Sequence, residues 1–215
     1  MASFDSRSIN SFKARLTGGG ARANLFEVEL GFPSALKGAP TAGVALDEGV
    51  FMVKAAELPA SNIGDIPVNF RGRILHVAGD RTFDPWTVTI INNNDWSLRK
   101  TFEDWSNMIN NRVWDSGVTN PSSYHRDAEV FQLARGGAKS NASGNKERSG
   151  GDQQPVVAAY KFFGIWPSQV SSIALDYGST DTIEEFQVTF QVEYWSVDYA
   201  LDKTEGGKYV NAGNQ

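Results

Sequence analysis

The chain has 215 residues, with 20 lysines and arginines against 25 aspartates and glutamates, no cysteine and a net charge of -5. That length allows one domain, or two small ones, with a core that needs no disulfide or metal. The acidic balance argues against a protein that grips nucleic acid through basic residues. The missing cysteines exclude thiol catalysis and thiolate metal sites, and two histidines, His76 and His125, leave no multi-histidine zinc site.

The N-terminal residues Met1 to Arg7 are polar and form no apolar signal region. The longest apolar stretch, Val156 to Trp166, is interrupted by Lys161 and falls short of the roughly 20 residues a membrane-spanning helix requires. The expectation is a soluble protein made in a cytoplasm, with no membrane anchor. The sequon Asn141-Ala142-Ser143 then reads as chance.

In chain order, residues 1–22 are polar and end in three glycines, which predicts a flexible or docking arm. Ala23 to Leu30 alternates as a half-buried strand. Residues 31–49 read as a long loop, and Phe51 to Leu58 as a strand stopped by Pro59. Val68 to Val77 alternates again, with Val68, Phe70, Ile74 and His76 on one side and Asn69, Arg71, Arg73 and Leu75 on the other. Gly79-Asp80 predicts a turn. Trp86 to Ile91 is a strand rich in β-branched residues.

The period then changes. Leu98, Phe102, Trp105 and Ile109 recur at helical spacing and predict an amphipathic helix over 95–111, with Asp95 as the candidate N-cap. Strands are predicted at Ala128 to Ala134, at Val156 to Ile165 with Trp166-Pro167 as its stop, and at Val170 to Tyr177. Gly136 to Pro155 holds no large apolar residue and reads as a surface loop. In Glu185 to Tyr199, Phe186, Val188, Phe190, Val192 and Tyr194 form one face. Glu185, Gln187, Thr189, Gln191 and Glu193 form the other, which suits a wet environment. Residues 200–215 read as a polar tail. The expected fold is mainly β: an antiparallel β-sandwich or barrel with one flanking α-helix.

No catalytic motif emerges. Gly206-Gly207-Lys208-Tyr209 lacks the upstream glycine and the hydroxyl residue of a phosphate-binding loop. His76 reads as core or interface packing, and His125 has no obvious partner. Glu184-Glu185 and Glu27/Glu29 read as solvated strand-face charges rather than a glycosidase pair. Neither a cofactor nor a metal is expected. Asp80-Arg81-Thr82-Phe83-Asp84-Pro85-Trp86 is more informative: its alternating charges suit either an ion-pair cluster within a subunit or a contact between subunits. The tryptophans read as core or interface anchors.

Four stretches together carry a family resemblance. They are Ala23-Asn24-Leu25-Phe26-Glu27-Val28-Glu29; Leu58-Pro59-Ala60 with Ile66-Pro67-Val68; Val77-Ala78-Gly79-Asp80-Arg81-Thr82-Phe83-Asp84 with Trp86-Thr87-Val88-Thr89; and Trp166-Pro167 followed by Ile183-Glu184-Glu185-Phe186-Gln187-Val188-Thr189-Phe190. With Phe102-Glu103-Asp104-Trp105, they resemble the tail tube proteins of T4-like contractile-tailed bacteriophages, over residues 23–195 and in family order.

The resemblance implies a non-enzymatic virion protein assembled in the host cytoplasm. Its homohexameric rings stack into a hollow tube inside a contractile sheath, and the genome leaves through the tube. Implied partners are further copies of the chain, the sheath, baseplate and tail-terminator proteins, and DNA in transit. One tail-tube domain over 1–199 is implied, with arm 1–22, an inserted loop 136–155 and tail 200–215. Asp80, Arg81, Asp84, Trp86, Trp166 and Pro167 are the expected inter-subunit contacts. Glu185, Gln187, Thr189, Gln191 and Glu193 would face the lumen or the sheath-side solvent. A baseplate-side tube initiator and the tube of a bacterial contractile injection system share these features.

Overall fold

The computed structural model describes residues 9–16, 20–36, 52–114, 116–133 and 156–199; the loop expected over 136–155 and the tail over 200–215 lie outside them, as does most of the loop expected over 31–49. The chain divides into two compact units, Val28–Val130 with Tyr160–Ser196, and Met1–Glu27 with Phe131–Ala159 and Val197–Gln215. In the smaller unit, the segment expected to be an arm holds a short helix, α1 (Ile9–Arg15). There the Gln132 side-chain amide donates to the carbonyls of Arg22 and Leu25 at 2.9 and 2.8 Å.

The larger unit holds all or part of nine described strands: β1 (Phe26–Leu30), β2 (Val53–Ala56), β3 (Asn62–Phe70), β4 (Arg73–Thr82), β5 (Trp86–Ile91), β6 (Arg126–Leu133), β7 (Val156–Val170), β8 (Glu185–Gln191) and β9 (Tyr194–Tyr199). Seven of them form one sheet in the order β1-β6-β7-β8-β5-β2, with β9 also paired to β7, while β3 and β4 pair only with each other. The registered pairs β2–β5, β3–β4, β5–β8 and β7–β8 are all antiparallel. The expected mainly β fold with a helix packed on it is what the chain forms. Among the described residues, no helix is long and apolar enough to cross a membrane.

Alternation explains how the core is placed. Phe186, Val188 and Phe190 of β8 are buried, as are their partners Ile90, Val88 and Trp86 on β5. The principal helix, α2 (Ser97–Ile109), buries Leu98, Thr101, Phe102 and Trp105 on this apolar face. Its rings interlock with those of the sheet: Phe102 lies 6.2 Å from Phe186 and 6.0 Å from Phe190, and Trp105 lies 6.1 Å from Phe190. Trp86 stacks on Phe162 of β7 at 4.4 Å.

Each buried indole of this cluster keeps a partner for its N–H. Trp86 donates to the Glu57 carbonyl at 2.9 Å and Trp105 to the Tyr124 carbonyl at 3.0 Å. Arg99 fastens the helix to the sheet. It bonds Glu103 at 2.7 Å and the Ser171 carbonyl at 2.6 Å, and its guanidinium sits 5.2 Å over the Phe186 ring.

Several expectations are corrected. Val68–Val77 is not one strand but the end of a hairpin. Arg71 and Gly72 take φ of 46° and 81°, both positive as the tightest two-residue hairpin turn requires, and Phe70 pairs with Arg73. Gly79-Asp80 does not turn, because β4 continues to Thr82. Trp166-Pro167 does not end β7, since a register shift between Pro167 and Gln169 absorbs the proline inside the strand. Val170–Tyr177 is not a strand; beyond Val170 the chain leaves the sheet as a loop to Glu184.

The long strand Glu185–Tyr199 is two, broken at Val192-Glu193. There the Glu193 N–H donates to the Phe163 carbonyl at 3.1 Å, beside Gly164 at φ 63°. Asp95 does accept from the Ser97 N–H at 3.0 Å, but Trp96, in the left-handed region, is the N-cap of α2.

The aromatic cluster sets the stability of the unit. Phe102→Ala should destabilise the protein by about 3–5 kcal/mol, measured as a lowered denaturant midpoint, because the helix loses its central ring and the sheet cannot close over the gap.

Candidate assembly surface

The most unusual surface is the β3–β4 hairpin. Nearly all of its residues are exposed. Directly opposed residues share a face, so register puts Ile66, Val68 and Phe70 with Arg73, Leu75 and Val77. Asp65, Pro67 and Asn69 share the other face with Ile74, His76 and Ala78. The face shared by Phe70, Ile74 and His76 in the sequence expectation is thus split. Phe70 is 67% and Leu75 62% exposed; Ile63, Ile66, Val68, Ile74 and Val77 are exposed as well. A contiguous apolar surface of this kind marks a contact with another molecule. His76 stands on the opposite, more polar face of the hairpin and not in a core: its Nδ1 lies 2.7 Å from an Asp65 carboxylate oxygen, both groups exposed.

At the hairpin base, Arg81 donates to the Ser61 hydroxyl at 2.8 Å and Asp84 accepts from the Asn62 side chain, while Arg81 makes no ion pair with Asp80 or Asp84. The intramolecular ion-pair cluster is therefore not formed. Asp80 and Arg81 are exposed and stand on the arm. Trp86 is buried within its own chain, as is Pro167, so neither side chain is available to a neighbour; Trp166 is half-buried, with its ring 6.3 Å from Tyr124.

A second surface is the polar face of the central strands. Thr87, Thr89 and Ile91 of β5 lie opposite Thr189, Gln187 and Glu185 of β8. Thr87 and Thr189 join their hydroxyls at 3.1 Å. Glu185 pairs with Lys54 at 2.5 Å, so the charges of this face are balanced. Gln191 is half-buried opposite Trp166, and exposed Glu193 lies beyond the end of β8, its carboxylate over Gly164. The five residues thus do not form one continuous stripe. His125 closes α3 (Pro121–Tyr124), with its ring 4.7 Å from Tyr124. Among the described residues, no group of three histidines or carboxylates is placed to hold a metal.

An exposed apolar hairpin on a polar-faced sheet is what a building block needs, and similarity to known proteins says of what. The phage tail tube protein family matches residues 21–198. The chain belongs to the phage tail tube protein family. It is 33% identical to the tail tube protein gp19 of Enterobacteria phage T4 over 175 residues, covering 81% of this chain and 90% of that one. In fold it is similar to a chain of the anti-feeding prophage baseplate, solved with six-fold symmetry (TM-score 0.54, 13% identity, 85% of this chain and 97% of that one). It is also similar to a chain of the sheath/tube terminator of an extracellular contractile injection system (TM-score 0.53, 11% identity, 83% and 96%). Sequence reasoning missed the hairpin as a unit, although Arg71-Gly72 between two apolar runs was its one signal.

Because the hairpin contributes little to the buried core, its apolar side chains are dispensable for folding. Val68→Ser and Leu75→Ser should each change unfolding free energy by less than about 0.5 kcal/mol in denaturant titrations, in contrast to core substitutions.

Proposed function

We propose that this tail tube protein closes into six-membered rings that stack into a hollow tube inside a contractile sheath, and that the tube conducts the viral genome during ejection. The observation that carries this reading is the exposed apolar hairpin on a chain one-third identical to a tail tube protein. Heterologous contacts, in which one surface of a copy meets a different surface of the next, generate rings and stacks. The fold is shared with baseplate and terminator chains, so fold alone does not separate an elongating subunit from an end piece. The much higher identity to a tail tube protein favours the elongating subunit. Sheath, baseplate and terminator proteins are the implied neighbours, and the virion tail, assembled in the host cytoplasm, is its place. The role is structural and not enzymatic.

The polar face built from Thr87, Thr89, Gln187, Thr189 and Glu185 is our choice for the lumen wall. Its one described cation, Lys54, is held by Glu185, so passing phosphates find no free basic group. DNA retention needs basic contacts and counterion release.

Purified protein at rising concentration should yield rings and hollow tubes by negative-stain electron microscopy. The combined Ile66→Ser, Val68→Ser, Leu75→Ser and Val77→Ser variant should remain folded and unassembled; normal tubes from it would contradict the role of the hairpin. Gln187→Lys phage should assemble tails but eject DNA more slowly, since the substitution places an unpaired lysine on this face of every copy. Normal ejection kinetics would remove this face from the lumen.

A further inference from the structure

The hairpin tip has a complement elsewhere on the same unit. The tip presents Phe70, Ile74 and Leu75 together with Arg71 and Arg73. Arg71 lies 5.3 Å over the Phe70 ring, and neither arginine makes an ion pair with a described residue. The tip is thus apolar and doubly cationic, with its charges unused.

The loop from Ser171 to Glu184, between β7 and β8, is the reverse. It folds around an open cavity of about 550 Å³ lined by Ile173, Leu175, Tyr177 and Ile183, with Asp176 and Glu184 also on its wall. Leu175, Tyr177 and Ile183 are exposed, an unusual state for three large apolar side chains in one loop. Asp181, exposed and at φ 63°, belongs to the same loop outside the cavity lining. Within the loop, the Asp176 carboxylate accepts from the Gly178 N–H at 2.9 Å, and the Ser179 and Thr182 hydroxyls meet at 2.7 Å. Cavities of about 300–1,000 Å³ accept groups the size of one or two large side chains. The chain's own tip does not occupy it, since Phe70 and Leu75 stand in solvent.

We propose that the β3–β4 tip of one copy docks into the 171–184 cup of the next. Phe70 and Leu75 enter the cavity, and Arg71 and Arg73 meet Asp176 and Glu184 on its wall and Asp181 of the same loop. The proposal rests on the tube reading and specifies the subunit contact within it. Its occupant is a second copy because apolar shape and charge sign are complementary between two surfaces of one chain. A plug and a socket at different places on a subunit can make a heterologous contact that passes from copy to copy, as a ring or a stack requires, and oligomers larger than a reciprocal pair distinguish it from a closed dimer. Charge complementarity also makes the contact sensitive to ionic strength.

The absence of cysteine from the sequence makes a clean cross-linking test available. Val68→Cys, on the face of Phe70 and Leu75, and Ser179→Cys at the cup both replace exposed residues. The doubly substituted protein, assembled and then oxidised, should give a ladder of disulfide-linked oligomers on non-reducing gels, and neither single variant should give more than dimers. Tubes that form without a ladder overturn the docking and leave the tube reading standing. Wild-type protein that forms no tubes under any tested condition, including seeding with preformed tail ends, overturns the tube reading and the docking with it. In parallel, Arg71→Glu with Arg73→Glu should raise the concentration needed for assembly by about tenfold or more, and adding Asp176→Lys and Asp181→Lys should recover it. Unchanged assembly by the tip variant likewise overturns the docking.

Discussion

The packing of α2 onto the apolar face of β5 and β8 is the constraint from which the other features follow. Phe102 and Trp105 must be covered, and the face carrying Phe186, Val188, Phe190 and Trp86 covers them, with Phe32 against both rings. Once those side chains point at the helix, the pleat sends Glu185, Gln187, Thr189, Thr87 and Thr89 to the opposite side. The polar face is therefore a consequence of core formation, and its chemistry was left free for a second task. Here that freedom is spent on hydroxyls, amides and one balanced ion pair.

The hairpin obeys no such constraint. Among the described strands, its two pair only with each other, and both faces meet solvent. An isolated two-stranded hairpin is marginally stable in water. On one face of this hairpin the middle pairs, Ile66–Val77 and Val68–Leu75, are apolar, where an exposed strand usually carries protecting charges. A subunit that folds around the aromatic cluster and carries its adhesive surface on a separate arm can keep folding and assembly energetically distinct.

How much of this was legible in the sequence depends on whether one face of an element is buried. The α2 stripe of Leu98, Phe102 and Trp105 and the alternation of β8 were readable because burial enforces their periods. The hairpin was not, for a geometric reason: two turn residues, Arg71 and Gly72, swap the parity of the faces, so an alternation read straight through from Val68 to Val77 assigns Ile74 and His76 to the wrong side. Val170–Tyr177 misled because its large apolar residues serve an exposed cup and not a core. Pro167 misled because a register shift lets a strand continue through a proline. Of the residues singled out for subunit contact, Asp80 and Arg81 fall on the exposed arm, whereas Trp86 and Pro167 fall inside. Tryptophan in a family motif signals packing as readily as recognition, and sequence alone does not separate the two.

The central claim, that the β3–β4 arm is held by neighbouring copies and not by its own subunit, is most directly tested by amide hydrogen exchange on free subunits and on assembled tubes. The account predicts fast exchange over residues 62–82 in the free protein and strong protection in the tube, with β5 and β8 protected in both. An arm equally protected in the free subunit, or still unprotected in the tube, would contradict it.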